Sequence, residues 1–268
     1  ITAYEIRSMG ARNLADVLRT VPGFDVTHMV SFPSHINRIR GSGDQDSVKI
    51  MVNGHTLKSQ AAFYDMFPLR SIRRIEIIRG PGSALYGAGA FFGIINIITK
   101  QGGDGYSEIG LNGGSYSTVN PYGELSYKNK DLKVYLYGEY HSTDGYDGIV
   151  EADMTDSSQG FEGSDQRELT GDGSYYNLQA DIRYKNFYFT GMLEADDMNN
   201  PLGIAKALTD ENEIKDRYYL GEIGYKGPAG EKGNFMFRMF YDRFEMDRFW
   251  EIFPEETAEM EIHTGFPP

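Results

Sequence analysis

Apolar and polar residues alternate along much of the second half of the chain, and this period of two constrains the fold more than any other feature. In residues 176–185, the apolar side chains of Tyr176, Leu178, Ala180 and Ile182 fall on one face of an extended chain, with polar side chains on the other. Such strands separate an apolar environment from a polar one. About seven strands of this kind are predicted, at residues 107–113, 123–128, 132–140, 176–185, 187–195, 219–226 and 235–242.

These strands fit either a soluble β-sandwich or a transmembrane β-barrel, and the connections between them favour the barrel. Asn129-Lys130 and Lys185-Asn186 leave room only for tight turns, whereas residues 141–174 and 196–216 form long polar segments. Short turns that alternate with long loops are typical of membrane barrels, as are tyrosines near the strand ends. Seven strands do not enclose a plugged lumen, because about 22 strands are needed for that.

Composition excludes several other classes of protein. The 268 residues contain no cysteine, which excludes disulfide and zinc-thiolate scaffolds. No stretch approaches the ~20 apolar residues that a membrane-spanning helix requires, so a helical membrane protein is also excluded. Residues 1–100 carry 12 Lys/Arg and 7 Asp/Glu, whereas residues 101–268 carry 14 and 32. We therefore predict two domains, residues 1–101 and 102–268, joined near the glycine-rich segment 101–105.

The first hundred residues mix helix and strand signals and predict a small α+β unit. Thr2 and Glu5 have the spacing of a capping box and predict a helix over residues 3–9. Asn13 is expected to cap a second helix, whose apolar residues recur at helical spacing as far as Val21. Strands are predicted at residues 35–40, 48–52, 75–78 and 94–99, the second of which ends in the tight-turn pair Asn53-Gly54.

The glycine-dense connection 80–89 shares its glycine spacing with a phosphate-binding loop. However, Ala88 and Gly89 stand where such a loop carries Lys and Ser/Thr, and no G-x-G-x-x-G pattern is present. We therefore expect a compact turn that lets two segments approach closely, and no nucleotide site.

Four sequence blocks in the first hundred residues resemble the plug domain of TonB-dependent outer-membrane receptors. They are LRTVPG (18–23), IRG (39–41), VKIMVNGH (48–55) and LRSIRRIEIIRGPGSALYG (69–87) with its continuation GIINIITK (93–100). The blocks follow the family's order and approximate spacing, so together they are specific although each alone is weak. The resemblance implies an α+β plug domain inside a transmembrane antiparallel β-barrel. The family barrel has 22 strands, of which this chain would hold about seven.

The resemblance also implies site residues. Glu76 and Arg79 correspond to a polar lock between plug and barrel wall, and the alternative is an ordinary exposed pair worth ~0–1 kcal/mol. Ligand contact is expected on two outward plug loops, and the alternative is that these loops pack on the barrel wall. The ligand-binding candidates are Met29, Phe32, Ser34, Gln60, Phe63 and Tyr64.

Residues 142–173 hold nine Asp/Glu and one Arg, and such a loop either coordinates a cation or is simply solvated. Their spacing matches no EF-hand template. Weak candidates for Ca²⁺ ligands are Asp144, Asp147, Glu151 and Asp153.

Nothing in the sequence indicates catalysis. The five histidines are dispersed without a helical pair, and no G-x-S-x-G motif is present. We therefore expect no catalytic residues, no cofactor and no enzyme activity.

The function that the resemblance implies is active uptake of a scarce nutrient across the bacterial outer membrane. An iron–siderophore complex is the expected substrate, with cobalamin and haem next. The implied partners are the TonB–ExbB–ExbD complex, a small-molecule ligand and outer-membrane lipid, with no nucleic acid. The TonB-contacting box would precede Ile1 and is absent from this chain, which we interpret as part of a longer protein. The alternative is a receptor, sensor or ligand-binding surface protein that does not transport.

Overall fold

The computed structural model describes residues 1–29, 34–39, 48–57, 67–145, 148–150, 167–169, 171–199, 212–229 and 233–250. It contains a small mixed α/β unit formed by the first hundred residues, which we call the plug. A seven-stranded antiparallel sheet follows, which we call the barrel wall. No helix of the described residues is long and apolar enough to cross a membrane.

The plug begins with the two predicted helices. Helix α1 (Ala3–Met9) has the complete capping box of Thr2 and Glu5, and it ends at Gly10 in the left-handed conformation. Helix α2 (Leu14–Arg19) is capped by the Asn13 side chain, which accepts from the Asp16 N–H. It ends two residues earlier than the apolar spacing predicts.

Two sheets complete the plug. The hairpin of β1 (Phe24–Met29) and β2 (Ser34–Ile39) lies apart from a four-stranded sheet of order β4-β3-β6-β5. That sheet contains β3 (Val48–Val52), β4 (His55–Thr56), β5 (Ile72–Arg79) and β6 (Gly93–Thr99), and β3 runs parallel to β6. A short 3₁₀ helix, Leu69–Ser71, precedes β5. All four predicted strands are therefore present, and the apolar residues of β3 and β6 are buried with the inner face of α2.

Both predicted glycine turns form. Asn53 and Gly54 have positive φ angles of 51° and 79°, the backbone that joins two antiparallel strands tightly. In the connection 80–89, a one-turn helix α3 (Ser83–Tyr86) is held by the Lys49 ammonium, which donates to the Tyr86 carbonyl. A Cβ on the buried Gly82 would collide with the Ile94 side chain, so this turn does allow close approach.

The barrel wall has the strand order β15-β14-β13-β12-β9-β8-β7, in which every neighbouring pair is antiparallel. All seven predicted strands are present, and most extend further into the long connections than the alternation indicates. Strands β10 (Gly148–Val150) and β11 (Arg167–Leu169) form a separate small hairpin inside the acidic segment, which the sequence did not indicate. The wall strands are β7 (Glu108–Gly113), β8 (Val119–Lys128), β9 (Leu132–Thr143), β12 (Gly173–Tyr184), β13 (Phe187–Asn199), β14 (Glu213–Ala229) and β15 (Gly233–Phe249).

The apolar face of the wall is the exposed one, which excludes the soluble sandwich. In β12, Leu178 is 50% exposed, whereas Asn177 and Gln179 on the opposite face are 0% and 7% exposed. A soluble sheet would bury Leu178, whereas a membrane barrel turns it toward lipid and its polar neighbours toward the lumen. Tyr176 and Tyr184 bound this apolar stretch. The eight steps between these two tyrosines, at ~3.3 Å each, span ~26 Å along the strand, or ~20 Å across the membrane at a tilt of ~40°.

The opposite face of the wall packs against the plug. Met192, Tyr218 and Leu220 of the wall belong to the same buried apolar cluster as the plug helices and strands, and Phe244 packs on its edge. The plug therefore lies on the lumen side of the seven strands, which do not close into a cylinder.

The chain passes from plug to wall through a tight junction. Lys100 is buried and donates to both oxygens of Glu124 on β8, at 2.7 Å each. The Tyr135 hydroxyl donates to the same carboxylate at 3.4 Å. Two residues later, Gly102 lies directly on the β8–β9 hairpin, where a Cβ would come within 2.5 Å of the Tyr127 carbonyl oxygen.

Gly102→Ala is expected to destabilise the protein by about 1–3 kcal/mol, because the added methyl group meets backbone that cannot rotate away. The control is Gly123→Ala on β8, where a Cβ meets nothing within 4 Å. Guanidinium unfolding in lipid vesicles measures both. Equal stability of the two variants would contradict the close approach.

Lys100→Met is expected to cost about 3–5 kcal/mol of unfolding free energy, because it leaves the Glu124 carboxylate buried without a counter-charge. Adding Glu124→Gln to that variant removes the charge and is expected to recover more than half of the loss. Arg74→Gln, which breaks an exposed pair with Glu76, is the control and is expected to cost ~0–1 kcal/mol. If Lys100→Met costs no more than this control, the junction pair is not buried in the folded protein.

Candidate functional site

A buried polar contact between plug and wall joins His55 to Asp242. The His55 Nε2 lies 3.1 Å from the Asp242 carboxylate, and both side chains are less than a tenth exposed. The Phe240 ring meets the His55 ring edge-on, with centroids 4.5 Å apart. The Asn53-Gly54 turn positions His55 at the edge of the plug sheet, and strand β15 presents Asp242 and Phe240 from the same face.

A second set of contacts lies at the opposite edge of the wall sheet, on β7 and β8, and these contacts are more exposed. The Arg70 guanidinium stacks 4.0 Å from the centroid of the Tyr122 ring and reaches Glu108 on β7 at 3.4 Å. Arg73 lies 3.5 Å from Asp104 in the junction. Because these pairs are partly solvated, each contributes less than a buried pair would. Non-covalent polar contacts thus join the plug to both edges of the wall sheet, at β15 and at β7 and β8.

The half of the lumen face that lies nearer the long connections also carries a band of acidic side chains. Glu139 accepts from the Asn177 amide at 2.8 Å, and the Arg248 guanidinium pairs with Asp216. Glu194 is 1% exposed, and neither of its carboxylate oxygens has a hydrogen-bond partner in the described part of the chain. A band of this kind attracts cations. Within the described ranges, however, no three His, Asp or Glu side chains are arranged to hold a metal ion.

The two predicted lock residues lie on the edge strand β5 and bond within the plug. Glu76 accepts from Arg74 at 2.8 Å and from Asn96 at 3.1 Å, and these hydrogen bonds, that from Arg74 first, hold the pKa of its carboxyl below the usual value. The Arg79 guanidinium donates to the Pro22 carbonyl at 2.8 Å. Their role as a lock against the barrel stays a prediction.

The described residues include only part of the predicted ligand loops. Met29 ends β1 and Ser34 begins β2, and these two residues pair with each other at one end of the plug hairpin. Phe32, Gln60, Phe63 and Tyr64 lie outside the described residues. Ligand contact by all six residues stays a prediction.

The calcium candidates are also mostly outside the described residues, since only Asp144 is described. Its side chain is exposed at the end of β9, and its N–H donates to the Tyr116 carbonyl. Asp147, Glu151 and Asp153 lie outside the described ranges, so calcium binding stays a prediction.

Sequence patterns missed the contacts that join plug to wall. His55 and Asp242 are 187 residues apart, and Lys100 and Glu124 sit in segments of opposite charge bias. A polar residue that directly follows a tight turn is ordinarily solvated, so no local pattern distinguishes His55 as a contact residue. The closest signal was the surplus of polar residues on one face of each strand, which required a polar partner across the lumen.

Comparison with known proteins supports the same architecture. Residues 1–94 match the family model described as the TonB-dependent Receptor Plug Domain. The fold resembles the siderophore receptor PirA from Pseudomonas aeruginosa (21% identity, TM-score 0.60), with 93% of this chain covering 41% of that one. It also resembles a mutant of the ferric enterobactin receptor PfeA from Pseudomonas aeruginosa (19% identity, TM-score 0.63), covering 92% of this chain and 40% of that one.

A third similar structure is the ferric yersiniabactin uptake receptor FyuA from Yersinia pestis, at 16% identity and a TM-score of 0.63, covering 93% of this chain and 41% of that one. At these identities the likeness concerns the fold. The chain spans about two fifths of the length of the receptors that it matches. TonB-dependent receptors are β-barrel proteins of the outer membrane. Residues 1–94 therefore match a TonB-dependent receptor plug domain, and the seven-stranded antiparallel sheet that follows has the fold of the barrel in such receptors.

Proposed function

We propose that the complete receptor takes up a scarce nutrient across the outer membrane by a TonB-dependent mechanism, and that the nutrient is an iron–siderophore complex. The observation that carries this proposal is a folded plug lying on the lumen face of a barrel wall. A plug in that place blocks diffusion, so passage of a solute requires the plug to move. The siderophore and ferric receptors with the same fold support iron–siderophore as the substrate class.

The contacts between plug and wall are suited to reversible movement. Among the described residues they include the buried pairs His55–Asp242 and Lys100–Glu124, the Arg70 and Arg73 contacts and a limited apolar patch around Leu220, and the chain contains no cysteine that could add a disulfide. A buried pair is costly to break but reforms when the plug returns. The plug therefore stays bound to the wall until a mechanical force pulls it away.

The start of the chain is placed to receive that load. The Ile1 nitrogen donates to the Ile75 carbonyl at 2.8 Å, and the Ile75 N–H donates to the Ile1 carbonyl at 2.7 Å. A pull on the segment before Ile1 acts first on these two hydrogen bonds and then on β5. We propose that the TonB–ExbB–ExbD complex supplies this pull through an upstream box.

We propose capture of the ligand at the plug loops that contain Met29, Phe32, Ser34, Gln60, Phe63 and Tyr64. The lock assigned to Glu76 and Arg79 forms part of the same proposal. Both residues lie on β5, the edge of the plug sheet opposite to His55, and both side chains reach solvent, so they are available to barrel strands other than the seven described.

A strain that lacks the receptor and is complemented with the complete protein is expected to accumulate ⁵⁵Fe supplied as a siderophore complex. Accumulation is expected to fall to background without TonB or with a protonophore, because movement of the plug requires energy. Ligand binding without accumulation would indicate a non-transporting receptor or sensor. Accumulation of cobalamin or haem instead of iron would contradict the proposed substrate.

Cross-linking plug to wall is expected to block uptake while leaving ligand binding unchanged. His55→Cys and Asp242→Cys, joined by a short bismaleimide with a reducible spacer, would tether β4 to β15. Uptake of ⁵⁵Fe is expected to drop at least tenfold and to recover after reduction, and the two single variants treated with the reagent are the controls. Full uptake through the tethered receptor would contradict movement of the plug away from β15.

A further inference from the structure

The lumen face of the wall carries a row of positive charge at the end that bears the tight turns. Lys128, Lys133 and Arg183 are direct cross-strand neighbours on β8, β9 and β12, and Arg238 lies further along the same row on β15. An even number of residues separates Arg183 from the buried Asn177, so side-chain alternation places the row on the lumen face. Tight turns mark the periplasmic side of an outer-membrane barrel, and the row therefore lies at the periplasmic mouth of the lumen.

This row is unfavourable for folding, because like charges directly opposite each other destabilise a pair of strands. Among the described lysines, Lys100 and Lys215 form ion pairs. Lys128 and Lys133, in contrast, have no carboxylate within ion-pair distance in the described part of the chain. Proteins keep such locally unfavourable arrangements chiefly where they serve a function, and unpaired cations that line a lumen are suited to contact an anionic solute.

Two cavities beside this row share part of their lining. One, of about 260 Å³, lies between plug and wall, where Asn53 and Gln101 of the plug line it. The other, of about 250 Å³, lies between the β8–β9 and β12–β13 turns. Arg183, Tyr188 and Lys226 line both, so the cleft between plug and wall opens into the space between the turns. We call the two cavities together the basic mouth, and its size falls in the range of ~300–1,000 Å³ that holds a small-molecule ligand.

The lining of the basic mouth holds six Lys or Arg side chains and two carboxylates. The carboxylates are Glu222, which pairs with Arg238 at 2.7 Å, and Asp131 in the β8–β9 turn. Arg183 is paired in the same way with Asp181 at 2.8 Å. The surplus positive charge therefore belongs to four lysines that form no ion pair with a described residue. They are Lys130, Lys133, Lys185 and Lys226.

An aromatic ring lies among these charges. The Tyr188 ring centroid is 5.4 Å from the Arg183 guanidinium carbon, and the Tyr188 hydroxyl donates to Glu222 at 2.5 Å. A Cβ on Gly224 would collide with this ring, so the glycine leaves room for the ring to lie against the wall. An aromatic surface beside free ammonium groups is suited to an anion that is itself partly apolar, because the ring contacts the apolar part and the lysines contact the charged oxygens.

The lumen face is polarised along its length. The half nearer the long connections carries the acidic band that includes Glu139, Glu194 and Asp216. The basic mouth carries the free lysines at the opposite end. A cleft with low-dielectric walls focuses the field between two such ends, and a field in this direction moves an anion toward the periplasmic side.

We propose that the basic mouth is an exit site for the cargo and that the cargo is an iron chelate with a net negative charge, bound through its anionic oxygens by Lys133 and Lys226. This inference rests on the proposed uptake function, and it adds the charge of the substrate and a second place where the substrate binds. A chelate that has passed between plug and wall reaches these lysines before it reaches the periplasm.

A spin label at the basic mouth of the complete receptor tests the proposal without TonB and without an energy source. Asn186 lines the mouth, and the 268 residues contain no cysteine, so Asn186→Cys provides an attachment point for a nitroxide. Ferric iron is paramagnetic and broadens the spectrum of the label only at short range, so a chelate bound at the outer end of the plug is not detected. The gallium chelate of the same siderophore has the same charge, is diamagnetic and is the control.

An anionic ferric tris-catecholate is expected to broaden the spectrum at roughly tenfold lower concentration than a neutral ferric tris-hydroxamate, because a charged cleft concentrates counter-ions. Inorganic phosphate at the same concentration is expected not to reverse the broadening, since it has no apolar part to contact Tyr188. Raising the salt concentration is expected to weaken the effect, because the attraction is electrostatic.

The variants are Lys133→Gln and Lys226→Gln in the labelled receptor. Each is expected to raise the concentration of tris-catecholate needed for half-maximal broadening about fivefold, the upper end of what one partly solvated charge pair contributes. Lys226→Arg is expected to keep the affinity. The matched control is Lys128→Gln, which removes the same charge from the same row but lines neither cavity. It is expected to change the concentration about twofold or less, because solvent and salt screen a charge beyond contact distance.

Three outcomes would overturn the proposal. They are equal broadening by the two chelates, reversal by inorganic phosphate, and an equal loss in Lys128→Gln, which would indicate diffuse attraction by the whole row. The uptake assay separates this inference from the proposed function. Uptake without broadening would contradict binding at the mouth, whereas broadening without uptake would contradict the proposed function and with it the role of the mouth as an exit.

Discussion

The backbone of a strand in lipid must find all its hydrogen-bond partners on neighbouring strands, and the rest of this structure depends on that constraint. Each wall strand from β8 to β14 pairs on both sides, and the outward residues are then free to be apolar. Inward residues such as Asn177 and Gln179 are polar because they face a lumen, whereas Met192, Tyr218 and Leu220 are apolar where the plug covers them. The wall is thus an inverted sheet, by which we mean that the pattern of a soluble protein is reversed, with apolar Leu178 outside and polar Asn177 inside.

Because the polar face of the wall points inward, it requires a partner whose apolar residues are already buried, and the plug is such a partner. Its own core is closed around α2, β3 and β6, so it needs the wall only for a small apolar patch and a few polar pairs. His55–Asp242 and Lys100–Glu124 are the buried members of that set. An interface of this composition is specific in register yet separable, which suits the movement of the plug that we propose.

Local patterns in the sequence predicted much of the fold, and the reasons are visible in particular residues. Thr2, Glu5 and Asn13 act within one helical turn, and Asn53-Gly54 acts within one hairpin, so neighbouring residues decide the outcome. The wall strands were predicted because alternation is also local. Their upper ends were not predicted, because there the outward residues become polar and the alternation fades, although the ladder continues.

The candidate site was less predictable, since its contacts join residues far apart in the chain. Nothing near His55 indicates a contact with an aspartate 187 residues away. The small β10–β11 hairpin within the acidic segment was not predicted either, because its residues show no apolar periodicity. Glu76 and Arg79 were chosen from a family resemblance, and the structure shows them bonded to Arg74, Asn96 and Pro22.

The two ends of the wall show the same division between local and long-range information. Neighbouring residues alone place a lysine directly after a tyrosine near the ends of three strands, and they crowd carboxylates into the long connections. The meeting of Lys100 with Glu124, and that of a plug histidine with a wall aspartate, is settled only in the folded molecule. Such meetings depend on strand register and on how the plug seats against the wall, and both are set by the summed packing of the whole molecule and not by any single segment.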